Sequence, residues 1–206
     1  MKLEVYTVSD LPVVVIDDFY NTSALKKVWS EILFLSSGDK LKDPEDTGSA
    51  FDNDSNGKLL KKKNKGAFLD EVYFKREFSD ILEENKKMWS GEFIDALIEV
   101  HPFFRYLTVI TRDHTLLSYY EDSDYYAAHK DEAIVSVCSW FYKGEKEFSG
   151  GSLTFDNKLT IDCKHNRSVI FPSILFHEVD PVILPQEKKN SGLGRYTLTQ
   201  LLTQQS

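Results

Sequence analysis

Cysteine is scarce in this chain: Cys138 and Cys163 are the two among 206 residues. Neither belongs to a CxxC pair or a zinc-spaced cluster, which excludes a thiolate zinc knot and a CxxC redox pair. The expectation is two reduced core thiols in a cytoplasmic protein. Long apolar runs are also missing. Leu11-Pro-Val-Val-Val-Ile16 is too short for a secretory signal and is bracketed by Asp10 and Asp17. Nothing approaches the length of a transmembrane helix, so no membrane partner is expected. Positive charge is in deficit: Lys+Arg 25 against Asp+Glu 33 leaves −8. That balance argues against broad nucleic-acid binding. No internal repeat and no dividing linker is visible, so one domain over residues 1–206 is expected.

What the chain does have is aromatic residues, with 14 Phe and 10 Tyr, and an ordinary 41% hydrophobic content. These suit strands and a large core. Residues 11–16 read as a buried strand. A helix follows from an Asn21 or Thr22 cap to about Leu35, with Leu25, Val28, Trp29, Ile32 and Leu33 on its apolar face. Residues 36–66 carry turn chemistry and five lysines between Lys58 and Lys65. They read as a solvated loop, or more sharply as a substrate-facing flap. Gly66–Tyr73 reads as a short strand or ordered turn. Ser79 caps a helix to roughly Glu99, with a break at Ser90-Gly91, and His101-Pro102 ends it. From residue 105 the pattern turns to short strands: 105–111, 115–120, 129–131, 133–142, 151–155, 158–161, 168–171 and 195–202. Helices followed by many short strands predict an α+β, mainly β protein, an antiparallel sandwich or barrel with the helices outside one sheet.

His129-Lys-Asp131 is the chemistry-bearing motif. On a strand, residues two apart share a face, so this pair can present an imidazole nitrogen and a carboxylate to one ion. An HxD alone is weak evidence. A second isolated histidine, His177, follows the apolar run 169–176, and a strand ending there would deliver it from the opposite side of a sandwich. Two His and one carboxylate with open positions match the ligand set of non-haem Fe(II) oxygenases. In Arg195-Tyr-Thr-Leu-Thr199, positions 195, 197 and 199 share a face. An inward Arg195 would need an anion, and its fork suits a carboxylate.

These residues, with Gly150-Gly-Ser-Leu-Thr-Phe155, Phe171-Pro-Ser-Ile-Leu-Phe-His-Glu-Val179 and Arg195–Thr199, resemble the Fe(II)- and 2-oxoglutarate-dependent dioxygenases, and the prolyl 4-hydroxylase-like branch most closely. The resemblance covers roughly residues 105–202, and 11–35 resembles that branch's usual start. It implies a double-stranded β-helix (jelly roll) core at 105–202 behind an N-terminal strand and helices at 1–104. It implies iron held by His129, Asp131 and His177, which would be the catalytic centre. It implies 2-oxoglutarate bound by Arg195 with Thr197 and Tyr120, or Tyr119 if the register slips, and Tyr126 and Trp140 as pocket walls. Lys188 and Lys189 stand as alternative anchors, because Arg195 lies unusually far from His177. The implied activity consumes 2-oxoglutarate and O2, releases succinate and CO2, and hydroxylates an unactivated C–H bond. The substrate would be a prolyl or other residue of a protein or peptide, or a small molecule. The rival readings are a non-catalytic metal-binding jelly roll, sensor or scaffold, and a cupin-type hydrolase or isomerase. The last needs a third histidine, for which His165 is the nearby spare.

Overall fold

The computed structural model describes residues 2–48, 51–54 and 57–204. The chain starts with a hairpin, β1 (Lys2–Val8) and β2 (Leu11–Asp17), turned at Ser9 and Asp10, both with positive φ (49° and 63°). That conformation fits the twist of a two-residue hairpin. Helix α1 (Thr22–Leu35) is capped by Asn21, whose Oδ1 accepts from the N–H groups of Ser23 and Ala24 at 3.0 Å. Such a cap is worth about 1 kcal/mol. Ala24, Val28, Ile32 and Leu35 form its buried stripe. Glu31 is buried with them and accepts from Ser79 Oγ (2.7 Å) and Ile81 N (2.9 Å), which ties α1 to the next helices.

The stretch expected to be a loop contains structure. β3 (Phe51–Asp54) pairs with β4 (Gly57–Leu60), and β5 (Lys65–Phe68) joins the large sheet before the short α2 (Leu69–Val72). Within the expected loop 36–66, residues 49–50 and 55–56 lie outside the described residues. Ser79 caps α3 (Asp80–Asn85), and Ser90 caps α4 (Gly91–Val100), so the helix expected to run to Glu99 is broken at Ser90. The strand expected at 105–111 is instead a 3-10 helix, Pro102–Val109. Pro102 presets φ, and His101 Nδ1 accepts from Phe103 N at 3.1 Å. Phe104, Leu107 and Ile110 are the buried positions, a spacing of three that fits a 3-10 turn rather than a strand.

The remaining strands are β6 (Arg112–Tyr120), β7 (Tyr126–His129), β8 (Val135–Phe141), β9 (Ser149–Gly150), β10 (Leu153–Phe155), β11 (Leu159–Ile161), β12 (Arg167–Pro172), β13 (His177–Val179), β14 (Val182–Ile183) and β15 (Arg195–Thr203). A seven-stranded sheet runs β1-β2-β12-β8-β15-β6-β5, and a four-stranded sheet runs β11-β10-β13-β7. Described pairings are antiparallel. One apolar cluster joins α1, α3 and α4 to the outer face of the large sheet through Val14, Val135, Phe141 and Leu198. The other fills the space between the sheets with Val15, Trp140, Val169, Phe155 and Val179. β8 is therefore buried on both faces along its whole length. The expected α+β architecture with helices outside one sheet is what the chain forms. Among the described residues no helix is long and apolar enough to cross a membrane.

Candidate metal and cosubstrate centre

His129 and His177 are cross-strand partners in the small sheet, on β7 and β13. This corrects the expectation that they approach from opposite sheets. β12 ends at Pro172, and the Ser173–Phe176 turn carries the chain from the large sheet to the small one. His177 thus begins a strand rather than following one. Asp131 is not on a strand either, since β7 ends at His129. Its carboxylate is placed by its own contacts: the backbone N–H donates to Ser173 O at 3.2 Å, and Oδ2 accepts from Ser136 Oγ at 2.5 Å. Ser136 Oγ also lies 2.7 Å from Ser173 Oγ.

The three side chains converge. His129 Nε2 is 3.6 Å from Asp131 Oδ1, and His177 Nε2 is 3.5 Å from Oδ2. Each has one potential ligand atom within 4.8 Å of the others. His129 Nδ1 lies 2.8 Å from Ala127 O, and His177 Nδ1 lies 3.0 Å from Leu175 O. A carbonyl oxygen only accepts, so each Nδ1 carries the proton and each Nε2 turns a lone pair toward Asp131. Burial holds the His177 pKa below its ordinary value, favouring the neutral ligand form. Burial alone would raise Asp131. The neighbouring His129 and His177 and the hydrogen bond from the Ser136 hydroxyl outweigh it and keep the carboxyl below its usual range. The Tyr126 ring stacks on His129 at 3.6 Å and 7°.

A cavity of ≈ 120 Å³ opens beside these groups and reaches Arg195 and Thr197 on β15. Arg195 is 1% exposed, and its guanidinium lies 4.7 Å from the Tyr120 ring and 5.4 Å from the Trp140 ring. Among the described residues its Nε and Nη1 have no hydrogen-bond partner, and neither does Thr197 Oγ1. A buried cation with unpaired N–H groups is costly unless an anion enters. Tyr120 faces the same space, and burial pushes its phenol up to about 12, so it stays a proton donor. Tyr119 points to the other face, donates to Glu121 Oε2 at 2.6 Å and packs on Tyr196. Trp140 does not line the cavity; it sits behind Arg195 with its Nε1 unpaired.

The alternative anchors lie elsewhere. Lys188 pairs with Glu147, and Lys189 with Asp122. His165 packs among Trp29, Phe141 and Tyr142 and accepts from Tyr142 N, outside the cluster. Several lining residues carry no sequence signal: Thr47 and Lys62, far upstream, and Ser118 on β6. Thr199 was visible only as the third inward position of β15. Cys138 also lines the cavity, and burial raises its thiol to about 12, which leaves it unreactive.

The site fits an Fe(II) and a dicarboxylate together: two imidazoles and one carboxylate leave coordination positions open, and a guanidinium with two unpartnered nitrogens stands at the far end. Residues 115–201 match the family model described as the 2OG-Fe(II) oxygenase superfamily. A search of curated proteins found no match. Among solved structures, a Pseudomonas putida prolyl-4-hydroxylase is similar at 13% identity and a TM-score of 0.59, covering 94% of this chain and 93% of that one. A Trichoplax adhaerens prolyl hydroxylase, in complex with a hypoxia inducible factor oxygen degradation domain peptide fragment, aligns at 15% and 0.60, covering 93% and 83%. The viral collagen prolyl hydroxylase of Paramecium Bursaria Chlorella virus-1, in a 2OG complex, aligns at 13% and 0.55, covering 92% and 94%. The sheets described above are thus those of a double-stranded β-helix. The 2OG-Fe(II) oxygenase match over residues 115–201 thus lies on this fold and across this cluster, and it supports an enzyme that works with Fe(II), 2-oxoglutarate and O2.

Proposed function

We propose that His129 Nε2, the Asp131 carboxylate and His177 Nε2 hold the iron, that Arg195 anchors the distal carboxylate of 2-oxoglutarate, and that the enzyme hydroxylates an unactivated C–H bond. Bound there, iron and 2-oxoglutarate supply an oxidative decarboxylation that uses O2, releases succinate and CO2, and puts one oxygen atom into the substrate C–H bond. The observation that carries the reading is Arg195, buried and with Nε and Nη1 unpartnered among the described residues, at the end of a cavity that begins at a His-Asp-His cluster.

The chain's own residues position and shield. The Nδ1–carbonyl bonds fix both imidazoles. Ser136 holds Asp131. Tyr120 and Thr197 offer hydroxyls beside Arg195 for the same carboxylate. Trp140 and the Tyr120 ring flank the guanidinium and keep water from it. The likeness to prolyl hydroxylases, one of them in complex with a peptide, supports a residue of a protein or peptide as the substrate, prolyl among the candidates.

The test is an anaerobic titration of the Fe(II) protein with 2-oxoglutarate, read by the visible charge-transfer band, followed by succinate measurement after O2 is admitted. Wild type should give both signals. Asp131→Ala should lose succinate formation by about two orders of magnitude or more. Metallated wild type that shows no band would defeat the assignment.

A further inference from the structure

Three consecutive lysines, Lys61, Lys62 and Lys63, run antiparallel to the free edge of β7. Lys63 N donates to Tyr125 O at 3.0 Å, Ala127 N donates to Lys61 O at 2.8 Å, and Lys62 bridges Tyr126. In extended chain the side chains alternate, so Lys61 and Lys63 turn one way and Lys62 the other. The contacts follow that rule. Lys61 is half-buried and reaches Ala128 O, and Lys63 is exposed and reaches Ser123 and Asp124. Lys62 is 2% exposed and lines the cavity that holds the His-Asp-His cluster. Its Nζ lies 5.8 Å from the Tyr126 ring, which is itself stacked on His129.

Lys62 is underused where it sits. Its Nζ donates to Thr47 O at 2.6 Å and makes no ion pair among the described residues. An ammonium has three donors, so two lack a hydrogen-bond acceptor among the described residues. Burial lowers its pKa to about 8, which still leaves most of it charged at pH 7. A buried cation without a counter-ion is tolerated where a ligand supplies one. On the proposed reading, the two carboxylates of 2-oxoglutarate are already engaged, one at Arg195 and one at the iron. Lys62 stands at the Tyr126 side of the cavity, and Arg195 is flanked by Tyr120 and Trp140.

We infer that Lys62 is a specificity-determining residue that binds a carboxylate of the primary substrate, next to the carbon to be oxidised. This rests on the hydroxylase reading of the site and narrows its substrate class to acidic compounds, either a peptide with an acidic residue or a free carboxylic acid. The neighbouring Lys61, and Lys130 over the Phe176 ring at 4.4 Å, add positive charge around β7 in a protein of net charge −8. That local field would draw an anionic substrate toward the site.

The experiment uses the anaerobic Fe(II)–2-oxoglutarate complex and calorimetric titration with matched probes. One arm compares capped Gly-Pro-Glu-Gly with Gly-Pro-Gln-Gly, and the other compares butanoate with butanamide. Wild type should bind the acid of at least one pair about tenfold more tightly than its amide. The arm showing the preference identifies the source of the carboxylate. Lys62→Met, which keeps the aliphatic stem, should erase that preference and leave the 2-oxoglutarate titration of the charge-transfer band unchanged. Equal binding of acid and amide by wild type in both arms overturns the inference without needing a variant. So does a preference that survives in Lys62→Met, and so does a weakened 2-oxoglutarate titration there, which would assign Lys62 to the cosubstrate. A wild-type protein with no band at all defeats the hydroxylase reading itself, and the missing band tells that failure apart from the others.

Discussion

Ser136 is not among the residues lining the open cavity, and yet it holds the cluster's carboxylate in place. Asp131 lies beyond the end of β7, so no ladder hydrogen bond fixes its side chain. Ser136, in the middle of the fully buried β8, donates to Asp131 Oδ2 and meets Ser173 Oγ. On the proposed reading the hydroxyl lends rigidity to the one charged ligand. Replacing Ser136 with Ala removes that bond and leaves the carboxylate free to rotate. Groups that orient metal ligands typically matter by about 10–100-fold in affinity. Ser136→Ala should therefore weaken Fe(II) binding by about that factor in a competition titration with a chelator, while its thermal midpoint without metal shifts little. Unchanged Fe(II) affinity would mean that Ser173 alone, through the Asp131 N–H, is enough to place the ligand. Gly151 acts at the same scale by leaving room: with φ +67°, a Cβ there would come within 3.0 Å of Arg195 Cδ and 3.1 Å of Val182 Cγ2.

At the scale of elements, β2 is held to β12 by more than its ladder. Asp17 at its end accepts from Arg167 Nε at 2.6 Å and from Lys164 Nζ at 2.7 Å. The Arg167 hydrogen bond, with help from Lys164, lowers the Asp17 carboxyl to about 2 from 3.8. The folded carboxylate therefore takes up a proton at lower pH than the unfolded one. Its stabilisation is complete above about pH 4 and is lost as pH falls toward 2. The shift corresponds to about 2 kcal/mol. Asp17→Asn should be less stable by about that amount in urea at pH 7, and the gap to wild type should close near pH 2; a gap that persists there would point to packing rather than charge. Elements were unevenly legible in the sequence. α1 announced itself through Asn21 and a helical apolar stripe, and β15 through the alternation of Arg195, Thr197 and Thr199. β1 did not, because its turn is Ser9-Asp10 rather than a glycine-bearing pair, and Leu3 and Val5 lie exposed on an edge strand. The β-branched run 105–111 misled because propensity was read without the three-residue spacing of Phe104, Leu107 and Ile110. Within the site, the residue types were readable, but their route together was not. The His129–His177 pairing depends on a chain reversal at Ser173–Phe176 that no residue in that apolar run advertises. Lys62 was hidden among its neighbours, since only the pairing of 61–63 with β7 decides which of the three turns inward.

At the scale of the whole molecule, the centre is divided between the two sheets. The histidines stand on β7 and β13 of the small sheet, while Arg195 and Thr197 stand on β15 of the large one. Iron held by His129, Asp131 and His177 would by itself tie only the small sheet to the Asp131 segment. 2-Oxoglutarate, held at the iron and at Arg195, would span the gap between the sheets and so oppose their separation on unfolding. A ligand at about one hundred times its dissociation constant stabilises by about 2.7 kcal/mol. In a chain of 206 residues each kcal/mol moves the thermal midpoint by roughly 2–4 °C. Anaerobic Fe(II) with 2-oxoglutarate should then raise the midpoint in scanning fluorimetry by about 5–10 °C over Fe(II) alone. 2-Oxoglutarate without metal should raise it little, since one end of the molecule has no holder. In Arg195→Met the Fe(II) shift should remain and the 2-oxoglutarate increment should vanish. An increment that survives in this variant would show that the cosubstrate is carried by the small sheet alone, and that the buried guanidinium answers to some other anion.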